Sequence, residues 1–256
     1  MKKRFLAIML AGVMAFSFVA GGCGDNSTTT TSSVTVDGNQ LDADQHYNTY
    51  LASDPTTLDS VKGNDTYSWS ILLNIMEPLT RVDQQGDKDV RVPAGAASWS
   101  SNDDATVWTF KLNDNKWSDG QPVTAGDYVY GIQRTLDPKS GSLNAYLITC
   151  IKNGAAVNNG KMSVDQLGVK AVDDKTLQIT LEQPTPYFLS LTDTRAMLPQ
   201  RKDIVEKYGD TYGAEASNLV CCGPFKIDSW THNSEITVSK NDNYWDAAHV
   251  YMQKVT

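Results

Sequence analysis

The chain has 256 residues, of which 40% are hydrophobic and 20% are charged. This composition is typical of a globular protein with a sizeable core. Its 22 Lys and Arg residues against 30 Asp and Glu give a formal net charge of −8, and a field of that sign, with no basic stripe to offset it, argues against nucleic acid as a partner.

The N-terminus has the pattern of an export signal. Basic residues at positions 2–4 precede the apolar run FLAIMLAGVMAFSFVA, which is followed by GGC. This run is shorter than the roughly 20 residues that a membrane-spanning helix needs. Cys23 directly after AGG resembles the end of a bacterial lipoprotein signal, in which that cysteine becomes the lipidated N-terminus, although Ala20 stands where leucine is usual. An ordinary secretory signal cleaved near the same place is the alternative.

The segment that follows Cys23 is expected to be a flexible tether. Its sequence, GDNSTTTTSS, has almost no apolar side chains and cannot bury a core. The expected organisation is therefore a signal over residues 1–22, a tether over residues 23–44 and a folded part from residue 45.

Three more cysteines lie in the folded part, at Cys150, Cys221 and Cys222. An odd number of thiols cannot pair completely, and a bridge between two adjacent cysteines would be strained. No CxxC pair or Cys/His spacing indicates zinc. We expect buried or idle thiols and no metal site.

The first half of the folded part is expected to contain a strand, a helix and a hairpin. Residues 46–53 have strand-like content, and residues 68–79 carry apolar side chains at helical spacing, with Ser68 as a possible N-cap and Pro78 at the end. Between residues 96 and 112 the apolar period changes to two, which is typical of strands around a turn at residues 101–104.

The second half continues with short strands and one short helix. GVKAVDDKTLQITL is predicted to be a hairpin that bends at residues 173–174. IVEKYG is predicted to be a helix closed by glycine, and GPFKIDSW and EITVSK are predicted strands. The sequence YMQKVT at the end reads as an unpaired apolar strand, and since domains rarely end on one, we expect the chain to be a fragment.

The stretch KWSDGQPVTAGDYVYGIQR, residues 116–134, predicts a turn followed by a helix. Gly120 is free to take a positive φ, and Thr124 with Asp127 forms a capping box. Val129, Ile132 and Leu136 form the expected buried stripe, while Tyr130 and Arg134 share another face. No nucleophile stands beside a base in this stretch.

Several segments of the chain together resemble the extracellular solute-binding proteins of family 5, which serve peptide, dipeptide and nickel ABC transporters. They are TLDS, the helix leading to MEPL, TVWTFKLNDNKWSDG with QPVTAGDYVY, LGVKAVDDKTLQITLEQPTPYF, CCGPFKIDSW and KNDNYWDA. They follow the family's order over most of residues 50–256, and the oligopeptide-binding proteins are the best match. Departures are Pro78, where glycine is usual, and the Cys221–Cys222 pair.

The resemblance implies an α/β chain with the two-lobed, type II periplasmic-binding-protein fold. Only part of the first lobe is expected here, as residues 45–76 and 193–256, with a smaller inserted α+β domain at residues 77–192. The family is about twice this length, so the second lobe is expected to lie beyond Thr256, and the chain alone is expected not to bind ligand tightly.

The resemblance also implies a function and contact residues. The protein is expected to be a lipid-anchored, extracytoplasmic monomer that captures short peptides for an ABC transporter permease, without a cofactor. Asn64, Asp65 and Thr66 match a backbone segment that contacts ligand in oligopeptide binders, and Tyr130 matches a ligand-contacting tyrosine. The alternatives are another solute of the family, namely a dipeptide, nickel chelate, haem or oligosaccharide, or a peptide-sensing surface receptor that does not transport.

An enzymatic function is not expected. The three histidines, His46, His232 and His249, are scattered, and the paired carboxylates at residues 103–104 and 173–174 fall at hairpin bends. No GxSxG, HExxH or phosphate-binding loop occurs.

Overall fold

A computed structural model describes residues 35–36 and 39–256 of the chain. The chain divides into two units, residues 1–43 and residues 44–256, of which the first has two short described strands that pair antiparallel. The expected signal over residues 1–22 and the lipidation site at Cys23 lie outside the described residues.

The described part of the chain consists of short strands interleaved with a few α-helices and short 3-10 turns, and the sequence predicts such an alternation. The strands are β1 (Thr35–Val36), β2 (Asn39–Gln40), β3 (His46–Tyr47), β4 (Thr80–Gln85), β5 (Lys88–Pro93), β6 (Ala96–Ser101), β7 (Val107–Leu112), β8 (Val169–Asp173), β9 (Thr176–Thr180), β10 (Phe225–Thr231), β11 (Glu235–Lys240) and β12 (Lys254–Val255). The α-helices are α1 (Thr66–Ile75), α2 (Ala125–Leu136), α3 (Gly154–Asn158) and α4 (Lys202–Tyr208).

A four-stranded antiparallel sheet with the order β6-β7-β9-β8 forms from the two predicted hairpins. Phe110 on β7 lies opposite Leu177 on β9, and both side chains are fully buried. Helix α2 packs against β8 and β9. The alternating apolar side chains of β7 and β9 therefore face the core, as a period-two pattern indicates.

A second sheet has the order β10-β11-β12-β3. The two predicted strands, β10 and β11, are confirmed and pair with each other antiparallel, but two expectations about the other strands of this sheet are wrong. Strand β12 is not unpaired, because it lies antiparallel to β11 and parallel to β3. The strand expected at residues 46–53 consists of β3 alone, since the following residues leave the sheet.

Helix α1 begins three residues earlier than an N-cap at Ser68 would place it. Its N-cap is Asp65, and Ser68 lies inside the first turn. The Asp65 carboxylate accepts hydrogen bonds from the Ser68 backbone N–H at 2.8 Å and from the Ser68 hydroxyl at 2.6 Å. The prediction of Ser68 as the cap is therefore wrong, because a carboxylate three residues before it takes that role.

Helix α2 follows the predicted turn and capping pattern closely. Gly120 has a φ of 88°, and the Asp127 carboxylate accepts the Thr124 backbone N–H at 2.8 Å. Ile132 and Leu136 are fully buried, as expected. Val129 is only half-buried, so the centre of the buried face lies nearer to Tyr128, which is fully buried.

The three described cysteines form no disulfide with one another. Cys221 and Cys222 are buried and Cys150 is half-buried, and burial raises the pKa of the Cys221 thiol to about 12. In the described part of the chain, no helix is long and apolar enough to cross a membrane.

Candidate functional site

The loop before helix α1, residues 57–66, is held in place by its own backbone and by a distant glycine. We call this segment the anchored loop. The Leu58 N–H donates to the Gly213 carbonyl at 2.7 Å, and the Gly63 N–H donates to the Asp59 carbonyl at 2.7 Å. Gly213 has a φ of 73°, and a Cβ there would come within 2.2 Å of the Asp59 nitrogen. Only glycine fits this approach.

A buried ion pair fixes the middle of the anchored loop to helix α2. Arg134 donates through Nη1 and Nη2 to the two carboxylate oxygens of Asp59, at 2.7 Å each. The Asp59 side chain is completely buried, and that of Arg134 is 13% exposed. Arg134 also donates to Gln200, which in turn donates to the Ser60 hydroxyl. Charge-assisted, bidentate bonds of this kind are strong and define one geometry.

The end of the anchored loop is fixed by Asp65, one of the predicted contact residues. Its carboxylate accepts hydrogen bonds from Thr56 and twice from Ser68. Burial raises the pKa of this carboxyl, but the Ser68 and Thr56 hydrogen bonds outweigh it and lower the pKa to about 2. Asp65 is thus a structural cap whose side-chain oxygens are already occupied.

Replacing Asp65 with alanine is expected to destabilise the protein by about 0.5–2 kcal/mol, the usual cost of a lost N-cap. Because the folded-state pKa lies below the ordinary value, this contribution is present above about pH 4 and is lost as the pH falls towards 2. Urea denaturation at pH 7 and pH 3 measures the loss. Asp65→Asn, which keeps a capping oxygen, should cost less, and Asp103→Ala at an exposed turn is the matched control. An equal loss from Asp103→Ala would contradict the capping role.

Asn64, the second predicted contact residue, is exposed at the top of the anchored loop. Within the described residues, neither its backbone N–H nor its carbonyl has a hydrogen-bond partner. The carbonyls on either side are occupied, because Arg195 donates to those of Gly63 at 3.2 Å and Asp65 at 3.4 Å. The loop therefore presents one free donor and one free acceptor on a fixed backbone. Thr66, the third predicted residue, is exposed at the first position of α1.

Tyr130, the predicted contact on helix α2, is half-buried one turn before Arg134. Burial raises the pKa of its hydroxyl, which therefore stays protonated at neutral pH and can both donate and accept. Among the described residues, no hydrogen bond or ion pair joins Tyr130 to residues 64–66. The two parts of the candidate site are linked indirectly, through Arg134 and Asp59.

A groove of about 620 Å³ lies beside helix α1. Its walls include Trp69, Leu73, Leu147, Arg81 and Arg195. The Arg195 guanidinium carbon lies 4.9 Å from the centroid of the Trp69 ring, within cation–π range. Neither residue was predicted from the sequence, because TRAMLP and YSWS contain no motif that marks a site.

The described residues of this region offer groups that can bind a ligand, and the histidines of the chain lie apart from one another. Each histidine has a separate partner: His46 contacts Thr256, His232 contacts Asp54, and His249 contacts Asp246. No group of three His, Cys, Asp or Glu side chains among the described residues could hold a metal ion.

The family model described as bacterial extracellular solute-binding proteins, family 5, matches residues 91–256. The dipeptide-binding protein DppE of Bacillus subtilis is 42% identical over 204 residues, which is 79% of this chain and 37% of that protein. The oligopeptide-binding protein OppA of the same species is 34% identical over 256 residues, or 46% of its length. The chain spans less than half the length of these curated relatives.

Solved structures give the same result for the fold. The substrate-binding domain of an oligopeptide ABC transporter from Bacillus anthracis superposes with a TM-score of 0.81 at 41% identity, over 85% of this chain and 42% of that chain. Listeria monocytogenes OppA bound to peptide superposes with a TM-score of 0.79 at 37% identity, over 83% of this chain and 42% of that chain. These neighbours confirm the expected α/β class of fold, that of the type II periplasmic binding proteins. These relatives are solute-binding transport proteins and not enzymes.

Proposed function

This chain belongs to the bacterial extracellular solute-binding proteins of family 5, and from that membership we propose that it captures short peptides outside the cytoplasm and delivers them to an ABC transporter permease. The observation that supports peptide as the ligand is the free backbone donor and acceptor of Asn64 on an otherwise fixed loop. The names of its relatives, which include dipeptide- and oligopeptide-binding proteins, point the same way.

In this proposal a peptide pairs its own backbone with that of the anchored loop. An extended peptide can add to an exposed backbone segment as a further strand does, so that main-chain hydrogen bonds supply affinity whatever the side chains are. Asn64 provides one backbone N–H and one carbonyl for this pairing. The carbonyls of Gly63 and Asp65 are held by Arg195, which restrains the backbone on both sides of Asn64. A preorganised loop of this kind loses little conformational entropy on binding.

Tyr130 is proposed as a second contact from helix α2. Its protonated hydroxyl can serve either a carbonyl or an amide of the ligand. Because its neighbour Arg134 fixes the anchored loop through Asp59, a peptide that touches both Tyr130 and Asn64 would meet two surfaces with a defined separation.

The remaining parts of the proposal concern the whole protein. Residues 45–76 and 193–256 would contribute to one lobe and residues 77–192 to the inserted domain, and a second lobe would close over the ligand. Since a peptide would contact both lobes only in the closed form, binding would shift the population towards closure. A lipid on Cys23 would keep the protein, as a monomer, at the outer side of the cell membrane, near its permease.

Peptide capture can be tested by changing the backbone at residue 64. Asn64→Pro removes the free N–H and is expected to weaken trialanine binding roughly 3- to 10-fold, the effect of one hydrogen bond. Asn64→Ala keeps the N–H and should leave affinity nearly unchanged. Isothermal titration calorimetry on the full-length natural protein and its two variants measures their affinities for trialanine. Thermal unfolding checks that each variant folds.

Three outcomes would count against the proposal. If the wild-type protein gives no heat with trialanine or with mixed tri- to pentapeptides, peptide is not its ligand. If Asn64→Ala and Asn64→Pro lose affinity equally, the side chain and not the backbone makes the contact. If neither loses affinity, the anchored loop is not part of the site.

A further inference from the structure

Arg195 differs from the other arginines of the described chain in having no acidic partner. Four of the five are paired: Arg81 with Glu77, Arg91 with Asp193, Arg134 with Asp59, and Arg201 with Asp119 and Asp203. Arg195 forms no ion pair with any described residue, although the protein carries a formal net charge of −8. A guanidinium without an acidic partner in such an acidic chain is available to an anionic group from outside the chain.

The guanidinium of Arg195 is held in one position. Nη1 donates to the carbonyls of Gly63 and Asp65, and the group lies over the Trp69 ring. The side chain starts from a short 3-10 turn in which the next residues, Ala196 and Met197, are fully buried. Arg195 has therefore lost most of the side-chain freedom that binding would otherwise cost.

The contacts of Arg195 leave one edge of its guanidinium unused. Nη1 serves the two carbonyls, so the N–H groups of Nε and Nη2 have no partner among the described residues. These two donors are parallel and match the two oxygens of a carboxylate. Arg201 shows that pairing here, because its Nε and Nη2 each lie 2.7 Å from a carboxylate oxygen of Asp203.

The other charged side chains that line the groove next to Arg195 are each paired with an opposite charge. Arg81 lines it but pairs with the buried Glu77, and Asp193 lines it but pairs with Arg91 at 3.0 Å. The nearby Asp65 carboxylate is occupied by Thr56 and Ser68. The groove therefore presents a single uncompensated positive charge, beside the apolar surfaces of Trp69, Leu73 and Leu147.

We propose that Arg195 binds a carboxylate of the ligand in this groove, and so makes the protein select peptides with an anionic group at that position. The inference rests on the proposed function. The carboxylate can be the C-terminus of a peptide or an acidic side chain, since both offer the same pair of oxygens.

Three probes separate the sources of the carboxylate: trialanine, trialanine amide, and alanyl-glutamyl-alanine amide. The probes are compared by calorimetry on the full-length natural protein. We expect it to bind either trialanine or alanyl-glutamyl-alanine amide roughly 10- to 100-fold more tightly than trialanine amide. A preference for trialanine identifies the C-terminus, and a preference for the glutamyl amide identifies a side chain.

The variant Arg195→Gln is expected to remove that preference by weakening the favoured acid, while trialanine amide changes little. Arg195→Lys keeps the positive charge but lacks the two parallel N–H donors of the planar guanidinium. It should retain part of the preference for the carboxylate-bearing peptide over trialanine amide. Lys170→Gln removes one positive charge from an exposed position on β8 and should leave the preference intact.

Three results would overturn the assignment. Equal affinity of the wild-type protein for all three probes would show that no carboxylate is recognised, while peptide capture itself would stand. Equal weakening of all three by Arg195→Gln would show that Arg195 only supports the carbonyls of the anchored loop. If no probe binds the wild-type protein, the proposed function fails and this assignment fails with it.

Discussion

Replacing Arg134 with methionine is expected to lower the free energy of unfolding by about 3–5 kcal/mol, the usual effect of breaking a buried ion pair. The cause is the Asp59 carboxylate, which is completely buried and would lose both of its 2.7 Å bonds to Arg134. Because methionine fills much of the space left by the arginine side chain, the decrease in the free energy of unfolding comes mainly from the unpaired Asp59 carboxylate and only in small part from a cavity. Urea denaturation with an unchanged m-value measures it.

A matched control is available on the same loop. Lys62 pairs with Asp210 at 3.4 Å, and both side chains are exposed. Lys62→Met should therefore cost no more than about 1 kcal/mol. If Arg134→Met costs no more than Lys62→Met, the buried pair is not what fixes the anchored loop.

Hydrogen exchange gives a second measurement of the same change. The Val61 and Gly63 amides donate to the side chain and the carbonyl of Asp59, so Arg134→Met should speed their exchange. Amides in helix α4 do not depend on this pair and should change only as far as the whole protein is destabilised. Equal acceleration in both places would indicate global and not local loosening.

Local patterns predicted local structure well in this chain. Two hairpins, the capping box of α2 and the glycine turn at Gly120 each depend on residues within a few positions of one another. The error at the start of α1 has a physical reason. Asp65 and Ser68 are both good N-cap residues and lie three positions apart, so the local sequence does not distinguish them. The Thr56 hydroxyl, nine residues before Asp65, donates a hydrogen bond to the Asp65 carboxylate and so favours Asp65 as the cap.

Long-range contacts were not predictable in the same way. Strand β12 pairs with β3 across more than 200 residues, and no periodicity in YMQKVT indicates that partner. The Asp59–Arg134 pair joins residues 75 positions apart. Arg195 carries no motif, and only the absence of a partner in three dimensions draws attention to it. The roles of Asn64, Thr66 and Tyr130 in ligand contact remain predictions that rest on the family resemblance.

Replacing Glu77 with alanine is expected to cost about 3–5 kcal/mol, because this buried carboxylate joins separate parts of the fold. It accepts hydrogen bonds from the Tyr244 hydroxyl and the Trp245 indole N–H, at 3.0 Å each, and from Arg81. The Glu77 carbonyl also accepts the hydroxyl of the buried Tyr128. Alanine would leave two aromatic donors without a partner and open a cavity in the core.

The comparison with Glu77→Gln separates hydrogen bonding from charge. Burial raises the pKa of the Glu77 carboxyl, while Arg81 and the two aromatic donors lower it. The favourable interaction of the Glu77 charge with Arg81 is therefore partly offset by the cost of removing that charge from water. Glutamine keeps one accepting oxygen and the volume, and should cost about 1–3 kcal/mol. Glu206→Ala, at an exposed pair with Lys202, should cost less than about 1 kcal/mol. If glutamine costs as much as alanine, charge pairing with Arg81 dominates, and the two aromatic hydrogen bonds contribute little to holding residues 244–245 against the end of α1.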